Sequence, residues 1–256
     1  MPTYAEYLNI DPLLTLQTPG TEHDELLFIV VHQTYELWFK QILHELDRIR
    51  ILLAADDLSR AGHTMKRVLT VLKVLVAQVD ILETMTPLEF LGFRERLGAG
   101  SGFQSAQFRE IEFVLGHKRL APVEQFPPGS DARTRLERRF REPGLWDWFV
   151  QFLAGRKYAV PADVLTRDVT QPPTASPELQ RTLIHIYRTD PAVAELCERL
   201  VDLDEGVQEW RYRHVKMVER TIGTKPGTGG SPGAEYLRTT LLRPVFPDLW
   251  AIRTEF

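Results

Sequence analysis

Residues 58–85, LSRAGHTMKRVLTVLKVLVAQVDILETM, decide the fold class of this 256-residue chain. Their apolar side chains recur every three or four positions, as they do along the buried face of an amphipathic helix: Met65, Val68, Leu69, Leu72, Leu75, Val76, Val79 and Leu82. Helix-start signals, in which a capping side chain precedes a proline, occur at Thr86-Pro87, Ser176-Pro177 and Asp190-Pro191. The sequence contains no pair of alternating strands joined by a hairpin turn, so it predicts an all-α protein.

The segment before this stretch carries the most unusual local pattern. A capping pair at Thr21 and Asp24 predicts the start of a long helix that reaches about Arg50. Within that helix, residues 28–41, FIVVHQTYELWFKQ, set His32 among large apolar side chains. Burying an imidazole without a partner costs roughly 1–3 kcal/mol, so packing alone is a poor reason for this placement. The pattern favours a ligand site, and the stretch by itself leaves open a metal, a haem or an indole.

Composition and charge exclude several classes of protein. A hydrophobic share of 43% and a charged share of 26% are ordinary for a globular chain. The net charge of -4 argues against a nucleic-acid partner, because such binders carry a basic stripe. The only arginine-dense run, residues 133–141, is interpreted as the solvated face of a helix.

Cysteine usage and apolar runs indicate the compartment. Cys197 is the only cysteine, so no disulfide framework is expected and a reducing compartment fits best. The first residues lack the basic start and apolar core of a secretory signal, and no apolar run approaches the length that spans a bilayer. The sequence therefore predicts a cytoplasmic protein without a membrane partner.

His214 is the second histidine of interest. It lies on the helix predicted from Asp190, within one inward-facing stripe: Leu196, Leu200, Leu203, Val207, Trp210, His214 and Met217. Two interpretations remain open, a core histidine bonded to a backbone carbonyl and an axial ligand of haem iron. A di-iron carboxylate site is excluded, because no histidine has the required glutamate three residues before it. Cys197 lies one step off the stripe and is expected to be inert.

Arg94 and two glycine-containing segments complete the candidate site. Arg94 follows Phe90 by one turn and suits a substrate carboxylate, since its planar guanidinium donates two parallel hydrogen bonds; the alternative is a surface ion pair with Glu89. Residues 224–233 hold four glycines and are either a mobile lid or a plain spacer. Residues 98–105 form another small-residue passage that could lie near a planar cofactor.

Several long strings resemble those of tryptophan 2,3-dioxygenases. They run in order through residues 4–242: His23-Asp24-Glu25 with Phe28, His32-Gln33-x-x-Glu36-Leu37-Trp38-Phe39-Lys40, Ser101-Gly102-Phe103-Gln104-Ser105 with Phe108-Arg109, Trp210-Arg211-x-x-His214, and Gly227-Thr228-Gly229-Gly230-Ser231. The resemblance implies one all-α helical-bundle domain, residues 1–256, that encloses a b-type haem and assembles as a homotetramer. It implies a haem-dependent dioxygenase that uses O2 to open the pyrrole ring of L-tryptophan, giving N-formyl-L-kynurenine.

The resemblance also implies roles around the haem. His214 matches the axial ligand of the ferrous iron, and Leu97 would pack near the porphyrin. His32 matches the distal, catalytic histidine, which accepts a hydrogen bond from the indole N–H. Ser101 matches a hydroxyl beside that histidine, within reach of both haem and substrate.

Further matches concern the amino-acid substrate. Phe28 and Phe90 match walls of the indole pocket, Arg94 the partner of the substrate carboxylate, and Thr228 a hydroxyl that meets its ammonium and carboxylate end. The amino-terminal segment, residues 1–20, matches one that a neighbouring subunit inserts into the pocket, through Tyr4, Tyr7 and Leu8.

Two departures and two alternative functions accompany the resemblance. Some members carry tyrosine where Phe90 stands, so the carboxylate should depend more heavily on Arg94. The region between Gly144 and Pro177 is compact. Relatives of the family insert one oxygen atom, and a haem monooxygenase that forms an oxindole from a modified tryptophan is therefore the first alternative. A non-catalytic haem-binding protein is the second.

Overall fold

A computed structural model describes residues 1–98, 100, 102–227 and 233–256, apart from the side chain of Phe103. Throughout these ranges the regular structure is helical, which confirms the all-α prediction. The α-helices are α1 (Tyr4–Leu8), α2 (Ile10–Leu14), α3 (His23–Ala54), α4 (Leu58–Leu82), α5 (Pro87–Arg94), α6 (Ala106–Val114), α7 (Ala121–Glu124), α8 (Asp131–Arg141), α9 (Leu145–Gly155), α10 (Ala162–Leu165), α11 (Pro177–Thr189), α12 (Pro191–Ile222), α13 (Ala234–Arg238) and α14 (Pro247–Ala251). Short 3-10 turns occupy Glu95–Leu97, Gly102–Gln104 and Ile252–Glu255.

Three long helices form the frame of the molecule, because α4 packs against both α3 and α12. The apolar stripe of α4 is buried as its spacing predicts, with Met65, Val68 and Leu75 almost fully enclosed. Burying side chains of this size contributes roughly 1.5–3 kcal/mol each. The frame is therefore held by apolar contacts between long rods, and rods of this kind can position side chains accurately along a cavity.

The predicted helix-start signals are confirmed at three places. The Asp190 carboxylate accepts hydrogen bonds from the amides of Ala192 and Val193 at the start of α12. Thr86 and Glu89 cap the start of α5 reciprocally, and Ser176 caps α11. Each signal is local, which explains why the sequence alone was enough to predict it.

The first long helix is confirmed, but its predicted cap is wrong and its end lies beyond the predicted one. Helix α3 begins at His23, no side chain caps it at Glu22, and it continues past Arg50 to Ala54. Its first turn is held instead by the buried Glu25 carboxylate, which accepts the Gly20 amide at 2.6 Å and lies 3.5 Å from the Arg96 guanidinium. A contact of this kind leaves no capping motif in the sequence.

The interpretation of the arginine-dense run as a solvated face was also wrong in part. Arg139 on α8 is buried, and its guanidinium donates to both oxygens of Asp47, on α3, at 2.7 and 2.6 Å. Arg135 donates to the buried Glu110 of α6 at 3.0 Å. Burial alone would raise the pKa of Asp47, but Arg139 overcomes this and holds the pKa below its ordinary value. The run fastens α8 to α3 and α6.

Two peripheral features bear on the predictions of partners. Helices α1 and α2 bury none of their residues, and Tyr4 and Tyr7 are 78% and 75% exposed. Among the described residues, no helix combines the length and apolar character that crossing a bilayer requires.

Candidate active site

A cavity of about 250 Å³ opens among α3, α4, α5, α6, α12 and α13. His32 from α3 and His214 from α12 both line it, as do Phe90 and Arg94 from α5. The structure thus brings together four of the predicted site residues, which lie as far apart as 182 positions in the chain (214 − 32). Apolar side chains such as Phe39, Leu82 and Met217 form most of the remaining wall.

His32 is held by the backbone of its own helix. Its Nδ1 lies 2.7 Å from the carbonyl oxygen of Phe28, one turn earlier. A carbonyl only accepts hydrogen bonds, so Nδ1 carries the proton and Nε2 of the neutral ring is an acceptor. Burial lowers the pKa of His32, although the Phe28 carbonyl and Glu36 act in the opposite direction. The residue is therefore neutral near pH 7 and can accept a hydrogen bond inside the cavity.

His214 has an apolar setting without a polar partner. Its ring stacks on Trp210, with centroids 5.2 Å apart and planes 4° from parallel. Burial, with smaller effects of His32 and Arg109, lowers the pKa of His214 to about 4. Neither ring nitrogen meets a hydrogen-bond partner anywhere in the described ranges, so the interpretation as a core histidine bonded to a carbonyl was wrong. An uncharged imidazole that faces a cavity is a competent metal ligand.

Aromatic side chains support the His32 end of the cavity. The ring of Phe28 lies 4.0 Å from that of His32 and 6.0 Å from that of Phe90, centroid to centroid. Phe93 packs at 5.4 Å against both phenylalanines. Of the three phenylalanines only Phe90 lines the cavity, and Phe28 and Phe93 pack behind it. The cluster supports an apolar wall that suits a flat aromatic ligand. Leu97, just beyond α5, packs against the same hydrophobic core.

Arg94 connects this wall to the glycine-rich segment. Its Nη2 donates to the Pro226 carbonyl at 2.6 Å, immediately before Gly227, which also lines the cavity. The alternative of a surface ion pair with Glu89 was wrong, because the Glu89 carboxylate caps α5 through the Thr86 amide at 2.6 Å. Pro226 takes one of five guanidinium N–H groups, and the arginine lies where a carboxylate in the cavity could meet the others.

A buried ionic cluster in the cavity lining was missed by the sequence reasoning. Glu112 on α6 pairs with Arg109, with Arg119 at 3.1 Å and with Arg211 at 3.2 Å, and all four side chains line the cavity. Burial would raise the pKa of Glu112, but the three guanidiniums hold it below its ordinary value. Arg109 and Arg211 did stand within the quoted strings. Their common partner could not be inferred, because Glu112 and Arg211 lie 99 positions apart.

The other predicted residues are distributed as follows. Ser101 and Thr228 lie outside the described residues. Tyr4 and Tyr7 are exposed on α1, and Leu8 is 43% exposed; none of the three lines the cavity of its own chain. The suggestion that this segment completes a neighbour's pocket is untested and stays a prediction.

Other metal chemistries find no support in the described part of the chain. Within it, no group of three or more histidine, cysteine, aspartate or glutamate side chains could hold a metal ion. Cys197 is fully buried in the core, and burial raises the pKa of its thiol to about 12. The thiol is inert, as expected.

Comparison with known proteins identifies the family. The family described as tryptophan 2,3-dioxygenase matches residues 1–126 and 174–256. A tryptophan 2,3-dioxygenase of Herpetosiphon aurantiacus is 62% identical, over 99% of this chain and 98% of its own length. Those of Anaeromyxobacter sp. (strain K) and Caulobacter vibrioides are 54% and 43% identical, over 98% and 99% of this chain and 95% and 98% of their own lengths. The chain belongs to the tryptophan 2,3-dioxygenase family.

The match to the tryptophan 2,3-dioxygenase family covers the whole cavity. Every lining residue falls within the two matched ranges, whereas the unmatched residues 127–173 hold α8, α9 and α10, away from the cavity. The compact region noted in the sequence therefore lies outside the candidate site. The resemblance seen in the sequence is confirmed where it matters for chemistry.

Proposed function

We propose that this member of the tryptophan 2,3-dioxygenase family opens the pyrrole ring of L-tryptophan with O2 to give N-formyl-L-kynurenine. The proposal treats residues 1–256 as one domain that works with a b-type haem. The observation that carries it is the meeting of two neutral imidazoles, His32 and His214, at one apolar cavity with a guanidinium, Arg94, at its polar end. The names of the relatives give the substrate.

The residues present fit a haem. His214 offers one unpartnered imidazole, and a porphyrin needs only such an axial ligand because it brings four nitrogens of its own. Elsewhere in the cavity lining, three guanidiniums surround one carboxylate, Glu112, which leaves an excess of positive charge toward the cavity. Haem b carries two propionate carboxylates that this charge would stabilise. When bound, the ferrous haem supplies the activation of O2.

The protein's own groups would hold the substrate beside that cofactor. Nε2 of His32 accepts the indole N–H, and Phe28 and Phe90 pack on the ring and exclude water. Arg94 meets the carboxylate, which carries a full negative charge in the cavity. Such positioning brings the C2–C3 bond of the indole to the reacting centre, and it supplies much of the acceleration of a bimolecular step.

Three further assignments in this proposal follow the family resemblance. Thr228 is assigned to the ammonium and carboxylate end, and the presence of neighbouring Gly227 in the cavity lining supports this assignment. Ser101 is assigned to a hydroxyl near His32; Gly102 and Ser105, which follow it, line the cavity. Leu97 is assigned to the haem edge.

The proposed function is tested by detecting the reaction product. Haem-loaded protein, reduced under anaerobic conditions and mixed with L-tryptophan and air, should develop the near-ultraviolet absorbance of N-formylkynurenine. Mass spectrometry should show a gain of two oxygen atoms. A gain of one atom would favour the oxindole-forming monooxygenase, and haem binding without substrate-dependent O2 uptake would favour a non-catalytic haem protein.

The protonation state of His32 predicts a pH dependence. Only the neutral ring accepts the indole N–H, and burial sets the pKa of His32 below 6.5. The dissociation constant of L-tryptophan, measured by spectral titration of the haem, should therefore rise as the pH falls, with an apparent midpoint below 6.5. The ammonium group of the substrate keeps its charge throughout this range. 1-Methyl-L-tryptophan, which lacks the N–H, should show a much weaker dependence, and a midpoint above 6.5 would contradict the assignment.

The assembly is part of the same proposal. We infer a cytoplasmic homotetramer in which residues 1–20 complete a neighbour's pocket; the exposure of Tyr4, Tyr7 and Leu8 supports this, since large apolar side chains are usually covered. Deleting residues 1–8 should impair turnover of L-tryptophan while the haem spectrum stays unchanged. Full activity after the deletion would rule out a shared pocket.

A further inference from the structure

The two ends of the glycine-rich segment, residues 225–227 and Gly233, lie in backbone contact with each other and are called its base below. Gly233 has a φ of 65°, a conformation that side chains disfavour. A Cβ atom at this position would lie only 2.7 Å from the carbonyl oxygen of Lys225. Only glycine allows the chain after the segment to return so closely to the chain before it. Gly227 and Gly233 both line the cavity, so the base of the segment sits at the cavity wall.

Each side of this base is held by an arginine. On the amino-terminal side, Arg94 donates to the Pro226 carbonyl at 2.6 Å. On the carboxy-terminal side, Arg119 donates to the Tyr236 hydroxyl at 2.7 Å, three residues after Gly233. The second Nη of Arg119 donates to Glu112 at 3.1 Å. The base is thus attached both to the proposed carboxylate partner of the substrate and to the buried ionic cluster.

A second contact reinforces the carboxy-terminal attachment. Arg211 donates to the Thr240 carbonyl at 3.3 Å through one Nη and to Glu112 at 3.2 Å through the other. Glu112 is therefore a common acceptor for two arginines that both reach the α13 region. Because Glu112 and Arg211 are buried on long or well-packed helices, they offer a fixed reference point. A hydrogen bond to a charged group is worth more than one between neutral groups.

We propose that Tyr236 is a positioning residue for substrate specificity: through Arg119, it fixes the base of the glycine-rich segment against the end of the cavity that receives the amino-acid moiety. This inference rests on the proposed function. Tyr236 acts on the substrate through Arg119 and through Gly227 and Gly233 at the base, all of which line the cavity. It governs the recognition of the ammonium and carboxylate groups, while the indole is recognised at the far end by His32 and the phenylalanines.

The test is the Tyr236→Phe substitution in the haem-loaded protein, which removes the hydroxyl and keeps the ring. Spectral titration should show L-tryptophan binding weakened about tenfold, as expected for one hydrogen bond to a charged group. Binding of 3-methylindole, which has the indole ring and no amino-acid moiety, should be unchanged. In turnover, KM should rise while kcat stays within about twofold. Tyr212→Phe is the matched control, because Tyr212 is half exposed on α12.

Several outcomes would overturn the inference. Unchanged L-tryptophan binding in Tyr236→Phe would do so, and so would equal weakening of L-tryptophan and 3-methylindole, which would indicate general damage to the cavity. A loss of helical circular dichroism or of haem would likewise assign Tyr236 to folding. If the unaltered protein binds 3-methylindole but not L-tryptophan, the proposed function fails together with this inference. The inference is supported if Tyr236→Phe binds L-tryptophan more weakly than the unaltered protein does and binds 3-methylindole equally well.

Discussion

Replacing His214 with alanine should abolish haem retention. The imidazole faces the cavity from α12 without a hydrogen-bond partner in the described ranges, and its lowered pKa keeps it uncharged. Without it, the iron would lose its only protein ligand, and the porphyrin would be held by apolar contacts and the arginine wall alone. Purified His214→Ala should therefore contain far less than one haem per chain, measured by the pyridine haemochrome assay.

Two controls make this result specific. His44→Ala removes an exposed histidine from α3 and should leave the haem content unchanged. External imidazole added to His214→Gly should restore haem binding, because a free ring can occupy the space that the side chain leaves. Circular dichroism should show the same helical signal in all variants. Normal haem stoichiometry in His214→Ala would contradict the axial assignment.

Replacing Arg94 with leucine should weaken L-tryptophan binding severely. The guanidinium lies at the polar end of the cavity and makes a charge-assisted pair with the substrate carboxylate in the proposed complex. Removing one partner of such a pair costs on the order of 2–4 kcal/mol, which corresponds to a dissociation constant higher by about 30- to 800-fold. Spectral titration of the haem-loaded variant measures this directly.

The comparison ligand for this variant is tryptamine, which lacks the carboxylate. Its affinity should be nearly the same in Arg94→Leu and in the unaltered protein, since the guanidinium has no anion to meet. Arg141→Leu is the matched control, because that side chain is exposed on α8, far from the cavity. An unchanged affinity for L-tryptophan in Arg94→Leu would show that another group receives the carboxylate.

Local signals account for most of the fold that the sequence predicted. The stripe of α4 and the caps at Asp190 and Thr86 depend on residues within one or two turns, so they are visible in a single sequence. The start of α3 and the burial of Arg139 were not predicted, because both depend on partners distant in the chain: Glu25 pairs with Arg96 at 3.5 Å, and Arg139 meets Asp47 92 positions away.

The candidate site likewise combines residues that local sequence patterns indicate with contacts that only the folded chain creates. His32 and His214 could be singled out because an imidazole on an apolar helix face is unusual, and Arg94 because of its position beyond Phe90. These residues meet at one cavity only because of the way the helices pack, which the sequence does not reveal. The ionic cluster at Glu112 was beyond reach, since a buried glutamate surrounded by arginines looks like an ordinary surface residue in the sequence.

The bond between the His32 ring and the Phe28 carbonyl has a consequence for redesign. Because the acceptor nitrogen is oriented by a hydrogen bond to the main chain of α3, its direction does not depend on a hydrogen bond from the side chain at position 90. Enlarging the pocket at Phe90 to admit bulkier bicyclic amino acids would thus leave the acceptor in place. New substrate ranges can be sought by trimming the walls while the anchoring point for the ring nitrogen is retained.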